Sequence, residues 1–173
     1  DLKHLLKLEK EEIIEQIAFY KQYRKVFQFG AFHRLKNGWQ VSDGPIVLAG
    51  IFRKLLNAAP GYETLRVKGL EPNKRYCFCS HPQKLRIGQF GSLVKHVAPI
   101  NLNPNGIVLR TADRLITLPD GYQECCVSGS ALMAGIRLLP CFRGTGYDKN
   151  QRTLTDFGSE LYIIEEESTC ENA

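Results

Sequence analysis

An antiparallel β-sandwich of about eight strands, preceded by one N-terminal α-helix, is the fold that this 173-residue sequence predicts. Three observations carry that expectation. A charge-ordered amphipathic segment spans residues 9–27, and after Gly30 the apolar period shortens from three or four residues to two. The short apolar runs that follow are separated by turn signals such as Asp43-Gly44, Pro60-Gly61 and Pro72-Asn73. These runs do not alternate with long helical segments as βα units would, so a sandwich is expected.

The helix is expected over 9–27. Glu9, Glu11, Glu12 and Glu15 crowd its start, while Lys21, Arg24 and Lys25 crowd its end, an order that complements the helix dipole. Ile13, Ile17, Tyr20 and Phe27 share one face, and Phe19, Tyr23 and Val26 form a second stripe beside it. That apolar band is too wide for a helix lying on one surface, so contact on two sides is expected. Gly30 is the expected stop.

Trp39 to Ser42 is expected as a strand, closed by the Asp43-Gly44 turn. Ile46 to Phe52 is apolar on both faces and belongs in the middle of the fold. Thr64 to Lys68 alternates, with Leu65 and Val67 inward, and Glu71 to Lys74 turns the chain into a strand over Arg75 to Cys79. Residues 81–106 are punctuated by Pro82, Pro99 and Pro104 and give no clear element. Ile107 to Arg110, Leu115 to Leu118, Glu124 to Val127, Ile136 to Phe142 and Leu161 to Ile164 are expected as further strands. Gly129 to Gly135 reads as one helical turn, and the run from Glu165 to Glu171 as a frayed tail.

Composition narrows the function classes. Hydrophobic residues make up 43% and charged residues 24%, which excludes disordered and collagen-like chains. A chain of this length buries about 70% of its unfolded surface and needs no covalent staples. No stretch approaches 18 apolar residues, so no membrane span is expected. The first residue is Asp1 and the single methionine is Met133, so the chain is expected to be a piece of a longer protein.

The net charge of +5 hides a split: residues 16–164 carry 20 Lys and Arg against 9 acids, whereas both ends are acidic. The basic residues are spread singly, with no aromatic-interleaved motif, so neither nucleic acid nor membrane is expected as a partner. Cys77, Cys79, Cys125, Cys126, Cys141 and Cys170 make no C-x-x-C pair. They are expected as free thiols in a reducing compartment, hence a cytoplasmic protein. Cys77 and Cys79 fall on one face of a strand; Cys125 and Cys126 face opposite ways.

Several segments carry a resemblance. Ile17 to Gly30 followed by Phe32-His33-Arg34-Leu35, Leu65 to Tyr76, Ser128 to Ile136, and Asp156 to Tyr162 resemble, in that order, the α-galactosidases of glycoside hydrolase family 36. The likeness covers residues 9–35, 45–80 and 128–165. It implies a parent with a β-rich N-terminal domain, a (β/α)8 catalytic barrel and a C-terminal antiparallel β domain. Residues 1–30 would hold the last helix of the barrel, 31–167 the C-terminal β domain and 168–173 a frayed tail. The parent would cleave terminal α-galactosides with retention, using two barrel carboxylates placed before Asp1. The chain alone is then not expected to be an enzyme. Its expected partner is the barrel, met through Ile13, Ile17, Tyr20, Tyr23 and Phe27; a homo-oligomer of the parent is left open.

Other candidates are weaker. Gly146-Tyr147-Asp148-Lys149-Asn150 imitates the family's Lys-Tyr/Trp-Asp-x-Asn nucleophile run. Asp148 lacks the preceding Lys and follows Gly144-Thr145-Gly146, so it is assigned to a turn. His4, His33, His81 and His96 have no metal-like spacing, and no cofactor or metal is expected. Ser130 does not make a Gly-x-Ser-x-Gly elbow. A stand-alone sugar-binding module is the competing reading, with Trp39 and Tyr62 as stacking residues. Against that, Trp39 is expected to pack the sheet against the helix.

Overall fold

A computed structural model describes residues 7–52, 54–55, 63–82, 85–86, 108, 111, 117–118, 122–138 and 157–167. The helical segment is divided: α1 spans Lys7–Gln22 and α2 spans Arg24–Phe29. The break falls on Tyr23 (φ −101°, ψ 14°), although Tyr23 N–H still donates to Phe19 C=O at 3.1 Å and Phe27 N–H to Tyr23 C=O at 3.0 Å. A single helix was expected there from the apolar spacing, and that spacing does carry through, because the i→i−4 hydrogen bonds on either side of Tyr23 persist across the break. Gly30 ends α2, donating to Val26 C=O at 2.9 Å. A Cβ at Gly30 would lie 2.5 Å from that carbonyl oxygen and 2.8 Å from the one of Ser42, so glycine alone lets the helix pass this closely into a strand.

Ten strands follow among the described residues: β1 Ala31–Leu35, β2 Gly38–Asp43, β3 Ile46–Phe52, β4 Thr64–Leu65, β5 Arg75–Ser80, β6 Leu85–Arg86, β7 Thr117–Leu118, β8 Glu124–Ser128, β9 Ile136–Arg137 and β10 Ser159–Glu166. Six of them form an antiparallel sheet in the order β1-β2-β3-β10-β5-β8, and β4-β9 and β6-β7 make two-stranded sheets. The fold is therefore mainly β and antiparallel, behind N-terminal helix, as expected. Between β2 and β3, Gly44 supplies the positive φ (58°) that a two-residue hairpin loop needs.

The sheet buries both faces. On the inner face Val47, Ala49, Ile51, Tyr76, Phe78, Tyr162 and Ile164 pack against Leu65, Val67, Leu70, Leu132 and Leu138. That opposing layer is built from the β4-β9 pair, the stretch after β4 and α3 (Gly129–Ala134). Ser128 caps α3 by accepting from Ala131 N–H, and Gly135 (φ 125°) ends it. On the outer face Val41 and Leu48, with Trp39, Ile46 and Ile163, pack against the helices.

Three further expectations need correction. The first strand was expected at Trp39, yet residues 31–35 already form one, paired with β2 from Ala31↔Ser42 to Leu35↔Gly38. Val108 is helical, not extended. Glu165 and Glu166 lie in β10 and are not frayed: Glu166 pairs with Lys74 at 3.2 Å, and the following Glu167 pairs with Arg75 at 2.7 Å. The acidic run is aligned with the basic turn that opens β5. Residues 168–173 and 139–142 lie outside the described residues.

Candidate functional site

The helix–sheet junction gathers most of the residues singled out by sequence. Tyr23 and Val26 are buried on the outer sheet face, and Phe19 and Phe27 flank them. Tyr23 Oη donates to Glu165 Oε1 at 3.0 Å, so the helix is tied to the central strand β10 by a polar contact as well as by packing. Phe19 packs on His81 with ring centroids 4.3 Å apart, and Phe27 on Trp39 at 6.1 Å. Lys25 reaches Asp43 at 3.1 Å, but its side chain is exposed, so the pair adds little.

The other side of the helix has no cover among the described residues. Ile14 is 65% exposed, Ile17 48% and Tyr20 45%. Ile13 is partly buried. Tyr20 stacks on Phe27 at 5.9 Å and accepts from Gln28 Nε2 at 3.3 Å, which orders its ring at the surface. Of the five expected interface residues, Tyr23 and Phe27 therefore sit on the protein's own sheet, while Ile17 and Tyr20 face outward. Ile14 was passed over in the sequence, although it lies three residues from Ile17 on the same helical face.

Trp39 is partly buried. It stands across the β2–β3 pair from Gly50, where an added Cβ would meet its indole at 2.6 Å. Tyr62 and Asp148 lie outside the described residues, as do His4 and His96. His33 is half-buried on β1, opposite Gln40. Among the described residues no group of three His, Cys, Asp or Glu could hold a metal ion, and no helix is long and apolar enough to cross a membrane.

A second cluster lies on the outer face of β5 and β8. Tyr76, Phe78 and Ser80 point inward, which turns Cys77 and Cys79 outward. Cys126 lies opposite Cys77, with the two Sγ atoms 2.9 Å apart, and Glu124 lies opposite Cys79. Burial pushes the Cys79 and Cys125 thiols up. The hydrogen bond with Cys77 is the main cause that raises Cys126 to about 11, and burial is the main cause that raises the nearby Tyr122 hydroxyl to about 12. Protonated thiols are poor nucleophiles, so Cys79, Cys125 and Cys126 are not activated for covalent catalysis. The spacing of the cysteines gave their faces; the pairing of Cys77 with Cys126 depends on strand register and could not be read from it.

Comparison with known proteins agrees with this architecture. No family-level sequence model matches the chain. The α-galactosidase AgaA of Geobacillus stearothermophilus is 35% identical over 85 aligned residues, covering 44% of this chain and 12% of that protein. The crystal structure of an α-galactosidase from Lactobacillus brevis matches 96% of this chain at 22% identity with a TM-score of 0.59, using 18% of its own length. The family 36 α-galactosidase AgaB of Geobacillus stearothermophilus matches 96% at 24% identity and a TM-score of 0.58, using 17% of its length. The chain thus spans less than a fifth of the proteins it matches. In fold over nearly its whole length, and in sequence over part of it, this chain is similar to a segment of the α-galactosidases of glycoside hydrolase family 36.

Proposed function

We propose that this chain is the non-catalytic C-terminal β domain of an α-galactosidase, and that α1 and α2 brace the catalytic barrel of the parent enzyme. The parent would hydrolyse terminal α-galactosides with retention, through two carboxylates carried by the barrel. One observation carries the bracing role: the helix is seated on its own sheet through Tyr23 and Val26 while Ile14, Ile17 and Tyr20 stay exposed on the side turned away. Fully burying an exposed apolar side chain contributes about 1.5–3 kcal/mol, and roughly half of that remains to be gained at each of these partly covered positions, so the second side can serve as a docking face. The similar proteins are α-galactosidases several times longer than this chain, which leaves room for a barrel.

The reading of Trp39 as a sugar platform is less favoured, because its indole is engaged by Phe27 and Gly50. A cytoplasmic setting is proposed on the cysteines of β5 and β8, of which Cys79, Cys125 and Cys126 are thiols not joined in disulfides. The test is an assay on a chromogenic α-galactoside with the chain alone, the parent barrel alone, and both together. No turnover is expected from the chain, and longer-lived turnover is expected from the mixture than from the barrel. Turnover by the chain alone, abolished by Asp148→Asn, would overturn the proposal.

A further inference from the structure

We propose that Cys77 and Cys126 form a reversible dithiol–disulfide site, oxidised by small-molecule disulfides such as oxidised glutathione. The inference does not depend on the α-galactosidase reading. It starts from strand register. Ser80 N–H donates to Gln123 C=O at 2.8 Å and Gly129 N–H to Lys74 C=O at 2.9 Å, at the two ends of the β5–β8 pairing. Hydrogen-bonded and non-hydrogen-bonded pairs alternate along an antiparallel ladder. Counting inward from either end makes Phe78↔Cys125 a hydrogen-bonded pair and Cys77↔Cys126 a non-hydrogen-bonded one. Opposed Cα atoms in such a pair are about 4.5 Å apart, at the near edge of the range a disulfide can span without moving the backbone. The two sulfurs already lie 2.9 Å apart, and Cys126 is exposed.

The same register excludes the other described thiols. Cys79 faces Glu124 across the ladder and lies two residues along the strand from Cys77, about 7 Å away. Cys125 is opposite Phe78 and packs toward the core on the other face. β8 is the edge of the six-stranded sheet, so the bond would staple an outer strand to its neighbour across a 49-residue separation. The exchange is balanced. One protein thiolate attacks a sulfur of oxidised glutathione, forming a mixed disulfide and releasing one glutathione thiolate. The second protein thiolate attacks the protein sulfur of that mixed disulfide and releases the second glutathione. The two protein thiols lose two electrons and two protons, and one oxidised glutathione becomes two reduced ones.

Treatment of the full chain with oxidised glutathione at mildly alkaline pH, followed by non-reducing mass spectrometry, tests the proposal. The expected result is loss of two hydrogens with no glutathione retained at this site, a link that fragmentation assigns to Cys77 and Cys126, and reversal by dithiothreitol. Cys126→Ser, checked for folding by circular dichroism, should lose the link and retain one glutathione on Cys77. Persistent adducts on both cysteines, a link from either to any other cysteine, or no reaction would overturn the assignment.

Discussion

Gln40 is fully buried on the inner sheet face, where its amide serves one backbone unit twice. Nε2 donates to Lys68 C=O at 2.7 Å, and Lys68 N–H donates to Oε1 at 2.8 Å. Replacing Gln40 with Leu keeps the volume but strands both backbone groups. The expected loss is about 1–2 kcal/mol, below the full cost of about 1–3 kcal/mol per unmet buried group, since both bonds are only part-buried and water can reach the exposed Lys68. Urea unfolding of the variant measures it. The thiol of Cys126 gives a second prediction at this scale. Its hydrogen bond with Cys77 raises it most, then burial, then the charges of Cys77 and Glu167, against the pull of Arg75. Only the thiolate is alkylated, so the rate at Cys126 should climb about tenfold per pH unit until about pH 11. Mass-mapped alkylation with iodoacetamide reads this, and levelling near the ordinary thiol value would contradict it.

At the scale of elements, β2 and β3 show what was legible and what was not. Ile46 to Phe52 announced a strand covered on both faces, and β3 lies inside the sheet with the helix on one side and the inner core on the other. The same pattern is weak in β1, where Phe32 is 63% exposed and the hairpin with β2 turns at Lys36-Asn37. The order of Glu166 was hidden because its partner Lys74 lies 92 residues earlier. Gly50 is the element-scale test. Its missing side chain is the space that Trp39 occupies, with the indole 2.6 Å from an added Cβ. Gly50→Ala should displace Trp39 and cost about 1–3 kcal/mol, as overpacking does, with a change in tryptophan fluorescence. An unchanged emission maximum together with unchanged stability would show that the pair is not tightly packed.

For the whole molecule, the organising feature is a helix with two unlike sides. The two-stripe pattern in residues 9–27 was readable because helical spacing fixes which side chains share a face. Which stripe would meet the sheet was not readable, since both are apolar and aromatic. The choice was made by distant groups: Glu165 on β10 accepts from Tyr23, and Trp39, Ile46 and Ile163 receive Val26 and its neighbours. The two sides should therefore respond differently to a buried charge. Val26→Asp places an unpaired carboxylate where the side chain is 4% exposed, so the chain by itself should lose several kcal/mol, about 3 or more, in thermal or denaturant unfolding. The most direct test of the proposed bracing is the unfolding stability of Ile17→Asp, measured both in this chain alone and in the proposed longer enzyme. A change within about 0.5 kcal/mol is expected for the chain and a clear drop for the enzyme; an enzyme that unfolds as readily with the Ile17→Asp change as without it would show that this face braces nothing.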